Sequence, residues 1–376
     1  FLFMNRVFWC SSCLAMSTRN RISFNKKGEC NACQWKKEKE TIDWSNRKNE
    51  LLKLLDNHRS NNGEFDCIVP VSGGKDGSYV AYNLKHNYGM NPLCITVTPP
   101  LQLDLGKKNL ENFINSDYTV LSINTNPSTM KYLNKRGLCD IGFPYYGWLV
   151  AIQTIPVRFA IKLGIDLIFY GEDGEVEYGG STETAKNPIY GIDYMKKVYL
   201  ENSTYKSYKK ILDDTRDKGF KDLDFFKFPE LEKTSKLKIT HWSYFENWDP
   251  YRNYIFAKEH CGLEEADSNN LGTFTNFAQN DQAFYALHTY LMFLKYGFGR
   301  ANQDACIEIR RGAMSRDQAI NLVRLYDGHK PEEYKELYLE YYEMLESDFE
   351  KVLDKWANKD VLSKESGEWK LVQEIN

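Results

Sequence analysis

Residues 68–81 read Ile68-Val69-Pro70-Val71-Ser72-Gly73-Gly74-Lys75-Asp76-Gly77-Ser78-Tyr79-Val80-Ala81. A short apolar run leads into a glycine-rich turn closed by Lys75, Asp76 and Ser78, and the residues after it can continue as a helix. That order predicts a strand feeding a loop that cradles phosphate. Gly73, Gly74 and Gly77 lack Cβ atoms, so the backbone can bring its N–H groups close to a polyphosphate at the positive end of the following helix. Lys75 adds a point charge, and the Ser72 and Ser78 hydroxyls add donors. The spacing G-x-x-x-x-G-K-[ST] is absent and Lys75 precedes the last glycine, which excludes the common mononucleotide-binding loop.

Outward from this stretch, strands and helices alternate. Residues 67–71, 92–98, 118–123 and 166–170 read as strands; residues 78–87, 105–116 and 148–163 read as helices. Such alternation predicts an α/β fold with a parallel sheet, whose ligands gather at the carboxyl ends of the strands. Before it, residues 34–60 carry an amphipathic helical pattern (Trp44, Leu51, Leu52, Leu54, Leu55), and after about residue 203 the periodicity is mainly helical, most clearly over 274–295 and 331–355. The expected domains are therefore 4–40, a linker helix 41–62, an α/β domain 63–202 and a mainly helical region 203–376.

The chain of 376 residues is 42% hydrophobic with a formal net charge of -3. It can bury a sizeable core, and its mildly acidic balance disfavours a tRNA or other polyanion partner. No apolar run is long enough to span a bilayer and no segment has signal-peptide layout, so a cytoplasmic location and no membrane partner are expected.

Nine cysteines are present, and four form a pattern: Cys10-x-x-Cys13 and Cys30-x-x-Cys33, sixteen residues apart. Two such knuckles around a polar hairpin match a structural four-cysteine zinc site, with disulfides or a redox pair as the alternatives. Cys67, Cys94 and Cys306 read as buried small hydrophobes, Cys261 is ambiguous beside His260, and Cys139 reads as a loop residue.

Two further clusters follow. Directly after the strand at 166–170 come Gly171-Glu172-Asp173-Gly174-Glu175-Val176-Glu177-Tyr178-Gly179-Gly180. Like charges this close call for a cation, either magnesium brought with a nucleotide or a positive or hydroxyl-rich substrate. Late in the chain, Arg300, Arg310, Arg311 and Arg316 stand near glycines and can clamp phosphates or a carboxylate.

The loop, through Ser72, Gly73, Gly74, Lys75, Asp76 and Ser78, resembles the S-G-G-x-D-S signature of the ATP pyrophosphatase (PP-loop) family, with Gly77 as an extra residue before the serine. Taken with the four-cysteine module, G-E-D-G-E-x-E-Y-G-G, K-Y-G-F-G-R, I-R-R-G and S-R-D-Q-A, the chain from Cys10 to about Leu325 resembles the N-acetyl sugar amidotransferases of bacterial O-antigen and of pseudaminic or legionaminic acid synthesis. The resemblance implies replacement of an acetamido oxygen by nitrogen, at the expense of ATP cleaved to AMP and pyrophosphate. It also implies ammonia supplied by partners similar to the glutaminase and barrel subunits of imidazole glycerol phosphate synthase. On that reading ATP sits on Ser72–Ser78, Gly171 and Thr96; Asp76 and Asp173 hold Mg2+; Lys75, Asp76, Glu172, Asp173 and Glu175 carry the chemistry; Glu177, Tyr178, Arg300, Arg310, Arg311 and Arg316 meet the sugar substrate; and zinc is structural. PP-loop tRNA thiolation and a zinc-ribbon adaptor with a nucleotide-sensing domain are the alternatives.

Overall fold

The computed structural model describes residues 7–200, 205–216 and 218–375. At its centre is a six-stranded sheet built from β1 (Cys67–Pro70), β2 (Pro92–Val97), β3 (Val120–Ile123), β4 (Leu167–Tyr170), β5 (Ile189–Tyr190) and β6 (Lys238–His241), in the order β3-β2-β1-β4-β6-β5. The first five strands in that order are mutually parallel, and only the edge strand β5 runs antiparallel, to β6. β2 is buried along its whole length, as a strand covered on both faces must be. The mixed α/β architecture read from the alternation is present, with the sheet mostly parallel.

The helices follow chain order. α1 (Asn31–Lys39) and α2 (Trp44–Asp56) replace the single helix read over 34–60, because the Asp43 side chain accepts from the Asn46 N–H and starts a new helix there. α3 (Lys75–Tyr82), α4 (Asp104–Asn115), α5 (Pro127–Ile141), α6 (Tyr146–Leu163) and the one-turn α7 (Gly174–Tyr178) belong to the α/β alternation. Cys139, read as a loop residue, lies half-buried in α5.

Beyond these come α8 (Ile192–Met195), α9 (Tyr205–Arg216), α10 (Pro250–Cys261), α11 (Phe284–Tyr296), α12 (Arg300–Arg311) and α13 (Arg316–Tyr326), then α14 (Lys335–Tyr342), α15 (Glu346–Trp356) and a terminal hairpin of β7 (Leu362–Glu365) and β8 (Glu368–Leu371). Three expectations change here. The boundary at 202/203 lies outside the described residues, but the sheet continues past it, since β6 pairs with β4. The helix read from 274 begins at Phe284, because Gln279 takes φ +61° and residues 274–283 form a loop. The helix read over 331–355 is interrupted at Glu343, which adopts a left-handed conformation.

Candidate functional site

The loop after β1 turns tightly into α3. Gly73 has φ +82°, and a Cβ on it would lie 2.5 Å from the Leu110 nitrogen, so the turn sits directly on the α4 backbone. Gly77, the extra residue of the motif, is already inside the first turn of α3. A Cβ there would meet the Pro70 carbonyl oxygen at 3.0 Å and Val71 Cα at 3.2 Å, so the glycine lets α3 pack against the end of β1. One consequence is that Ser78 points to the buried side of α3, fully shielded from solvent.

A cavity of about 300 Å³ opens over this turn. Ser72, Gly74, Lys75, Asp76 and Gly77 form its floor, Glu172 and Tyr178 one wall, and Arg300, Asp304 and Glu308 another. The loop 275–281 with Tyr251 and Tyr285 closes it. Five carboxylates (Asp76, Glu172, Asp281, Asp304, Glu308) face two cations (Lys75, Arg300), so the lining is strongly acidic. Lys75 and Asp76 pair with each other, and Asp76 also accepts from Asn253 of α10 at 3.3 Å.

Burial, with the Asp76 charge nearby, pushes the Glu172 carboxyl up to about 7, and Tyr178 O–H lies 3.4 Å from it. Burial likewise raises Asp281 to about 6. Arg300 Nε is held by Asp304 at 2.8 Å, and Asp304 also accepts from Thr273 and Thr275 at 2.6 and 3.1 Å.

The other expected residues go elsewhere. Asp173 caps α7, accepting from the N–H groups of Glu175 and Val176, takes the Thr184 hydroxyl and lies 3.6 Å from His241. Glu175 forms a two-point pair with Arg21 at 2.8 and 2.6 Å. Glu177, buried, accepts from Trp35 Nε1 at 2.8 Å and from Lys39 at 2.7 Å. Gly171 is packed under Asp76 and Trp248, where a Cβ would lie 3.1 Å from Asp76 Cβ. Gly73, Ser78 and Thr96 do not line the cavity, and Thr96 is buried within β2. Arg310 reaches the sulfur of Cys13 at 3.7 Å, Arg311 pairs with Glu308 and Asp249 at 2.9 and 3.1 Å, and Arg316 donates to the Cys13 and Cys10 carbonyls.

Helical geometry sorts these residues. Along α12 the positions 300, 304, 307 and 308 face the cavity, while 302, 306 and 310, one turn apart, face the cysteine module.

Cys10, Cys13, Cys30 and Cys33 are buried with their sulfurs all within 4.8 Å of one another. The Cys10–Cys33 and Cys13–Cys30 separations are 3.9 and 3.7 Å. A disulfide needs about 2 Å, whereas a tetrahedron with Zn–S bonds of about 2.3 Å has edges of about 3.8 Å. The donor set therefore fits a four-coordinate zinc ion. Backbone N–H groups of Ser12, Cys13, Ala15 and Cys30 point at the sulfurs, as expected where thiolate charge is held. The module is bound to the rest of the chain on two sides, by 171–180 and by α12 with α13.

The loop 275–281, Tyr251, Tyr285, Asp304 and Glu308 were not singled out from sequence. For Asp304 and Glu308 a signal existed: they lie one and two turns after Arg300 on a helix, which puts all three on one face.

Residues 271–376 match the family model described as LPS biosynthesis protein WbpG-like, C-terminal domain. That segment supplies the 275–281 loop, Tyr285, Arg300, Asp304 and Glu308 of the cavity. The chain is also 31% identical, over 107 residues, to an uncharacterized protein of Methanocaldococcus jannaschii. The match covers 28% of this chain and 37% of that protein, so the chain spans little more than a third of the length of the curated relative it matches.

Among the described residues no helix is long and apolar enough to cross a membrane.

Proposed function

We propose that the protein is an AMP-forming, ATP-dependent ligase with a PP-loop core that converts an acetamido group of a bacterial sugar to an acetamidino group during lipopolysaccharide or related glycan synthesis. The observation that carries this reading is the meeting of three distant segments in one cavity: the 72–77 turn, Glu172 with Tyr178, and Arg300 from the segment that matches the lipopolysaccharide family model.

An amide carbonyl is a poor electrophile and its oxygen a poor leaving group. In the proposed reaction that oxygen attacks the α-phosphorus of ATP and pyrophosphate leaves. Ammonia then adds to the imidate carbon, and AMP departs with the original oxygen. Lys75 and the N–H groups of the turn are suited to charge building on the pyrophosphate, where fixed donors in a dry site act most strongly. Arg300, held rigid by Asp304, is suited to a phosphate or carboxylate oxygen.

The acidic lining fits a divalent cation: the Asp76 carboxylate is an oxygen donor of the kind magnesium takes, and bound there the ion would screen the phosphates. Glu172, with its carboxyl near neutrality, is matched to accept the proton that added ammonia sheds. Ammonia would come from glutaminase and barrel partners. Among the described residues no cysteine lines the cavity, which favours nitrogen transfer over tRNA thiolation.

AMP release, measured with ammonium and a panel of UDP-activated N-acetyl sugars and N-acetylated acidic sugars, tests the reading. At least one acceptor is expected to stimulate AMP and pyrophosphate formation in equal amounts, and Lys75→Ala is expected to lower the rate about 100-fold or more. Full AMP production by Lys75→Ala, or ADP as the product, would overturn it.

A further inference from the structure

A second cavity of about 230 Å³ adjoins the first and shares Tyr178, Pro250 and Ile307 with it as a common wall. Its far wall is α1 of the cysteine module, through Ala32, Trp35, Lys36 and Lys39. The charge balance is the reverse of its neighbour's. Lys36, Lys39, Arg310 and Arg311 face it against two carboxylates, Glu177 and Asp249.

The two carboxylates are already engaged, Glu177 with Lys39 and Asp249 with Arg311. That leaves Lys36 and Arg310, of which Arg310 gives one N–H to the Cys13 sulfur. Lys36 pairs with Glu40 on an exposed turn of α1, an interaction weak enough to be exchanged for a ligand. Trp248, 5% exposed, adds an aromatic wall.

We infer that this second cavity is a ligand subsite for the anionic end of the acceptor, a diphosphate or a carboxylate, and that the cysteine module supplies one of its walls. The inference rests on the proposed function for the word acceptor, though not for the anion site itself. Before a cation is bound the first cavity is mainly acidic, whereas the second carries more basic side chains than carboxylates. In this arrangement the acceptor lies across Tyr178, with its amide toward Glu172 and its charge toward Lys36 and Arg310.

Calorimetric titration of the full-length, zinc-loaded chain tests this. UDP and N-acetylneuraminate are titrated separately after saturation with magnesium and a non-hydrolysable ATP analogue, so that the nucleotide site is blocked. Binding of UDP identifies a diphosphate as the recognised group; binding of N-acetylneuraminate identifies a carboxylate. Lys36→Glu should weaken whichever binds by tenfold or more, with zinc content and the Kd of the ATP analogue unchanged within twofold. Lys75→Ala should do the opposite. Absence of binding by both probes, or equal binding by wild type and Lys36→Glu, would overturn the inference. If the ATP analogue binds in the same experiment, the failure belongs to the second cavity alone; if it does not bind, the proposed function fails instead.

Discussion

β1 and β4 lie side by side, and each runs at its carboxyl end into a glycine-rich segment that starts a helix. After β1, five of the six residues from 72 to 77 face one cavity. After β4, residues 171–180 send only Glu172 and Tyr178 into it, while Asp173, Glu175 and Glu177 cap α7 or grip the cysteine module. The same position in the sheet, with similar composition, yields a ligand floor in one case and a brace in the other. What separates them is the partner each segment meets. The 72–77 turn packs on α4 backbone and keeps its polar side free, whereas 171–180 meets Arg21, Trp35 and Lys39 and is consumed by them.

If the brace depends on the metal module, removing a thiolate should break it most severely. Structural zinc sites contribute about 10 kcal/mol or more to folding, so Cys30→Ser is expected to abolish zinc binding by atomic absorption and to leave residues 7–40 protease-sensitive.

A smaller break is Glu177→Ala, which strands the buried Lys39 ammonium and the Trp35 N–H. Loss of one partner of a buried pair costs about 3–5 kcal/mol, to be read from urea unfolding. An equal mutation of Glu172 should cost no stability near neutral pH, because burial and Asp76 already disfavour its charge and no ion pair of it is lost among the described residues.

The smallest effect sharpens the comparison through pH. Glu172 is raised by burial and by Asp76, so its folded value of about 7 lies above its unfolded value. Its contribution to stability is therefore present in full below the unfolded value and lost as pH rises through about 7. Wild type should lose melting temperature relative to Glu172→Gln between pH 5 and 8, an interval set by the same raised carboxyl. As a proton acceptor Glu172 must be ionised, so AMP formation should climb through pH 7 in wild type and lose that limb in the variant.

The turn at 72–77 and the cysteine spacing were legible because short-range geometry decides both: glycines permit the turn, and two paired knuckles form a tetrahedron. The fates of Glu175 and Glu177 were not, since they depend on partners 154 and 138 residues away. The same holds for Arg316, whose guanidinium reaches the cysteine knuckles rather than the cavity. Phe277 and Phe284, seven apart, imitate a helical stripe, yet Phe277 belongs to a loop and stacks on Tyr254 at 4.4 Å. β6 escaped notice because Lys-Ile-Thr-His holds a single apolar residue and so shows no apolar run. Gly77 reads as an insertion in the motif, and only the closeness of Pro70 and Val71 explains why it must be glycine.

The Asn302 side chain donates to the Leu14 carbonyl across 288 residues of chain. On the ribosome the cysteine knuckles emerge well before the helix they rest on, which is made 288 residues later. The knuckles are thus seated only after a long stretch of later chain has been made. Contacts of such long range are slow to form, and a metal ion taken up by the knuckles at the start would keep that segment shaped during the wait.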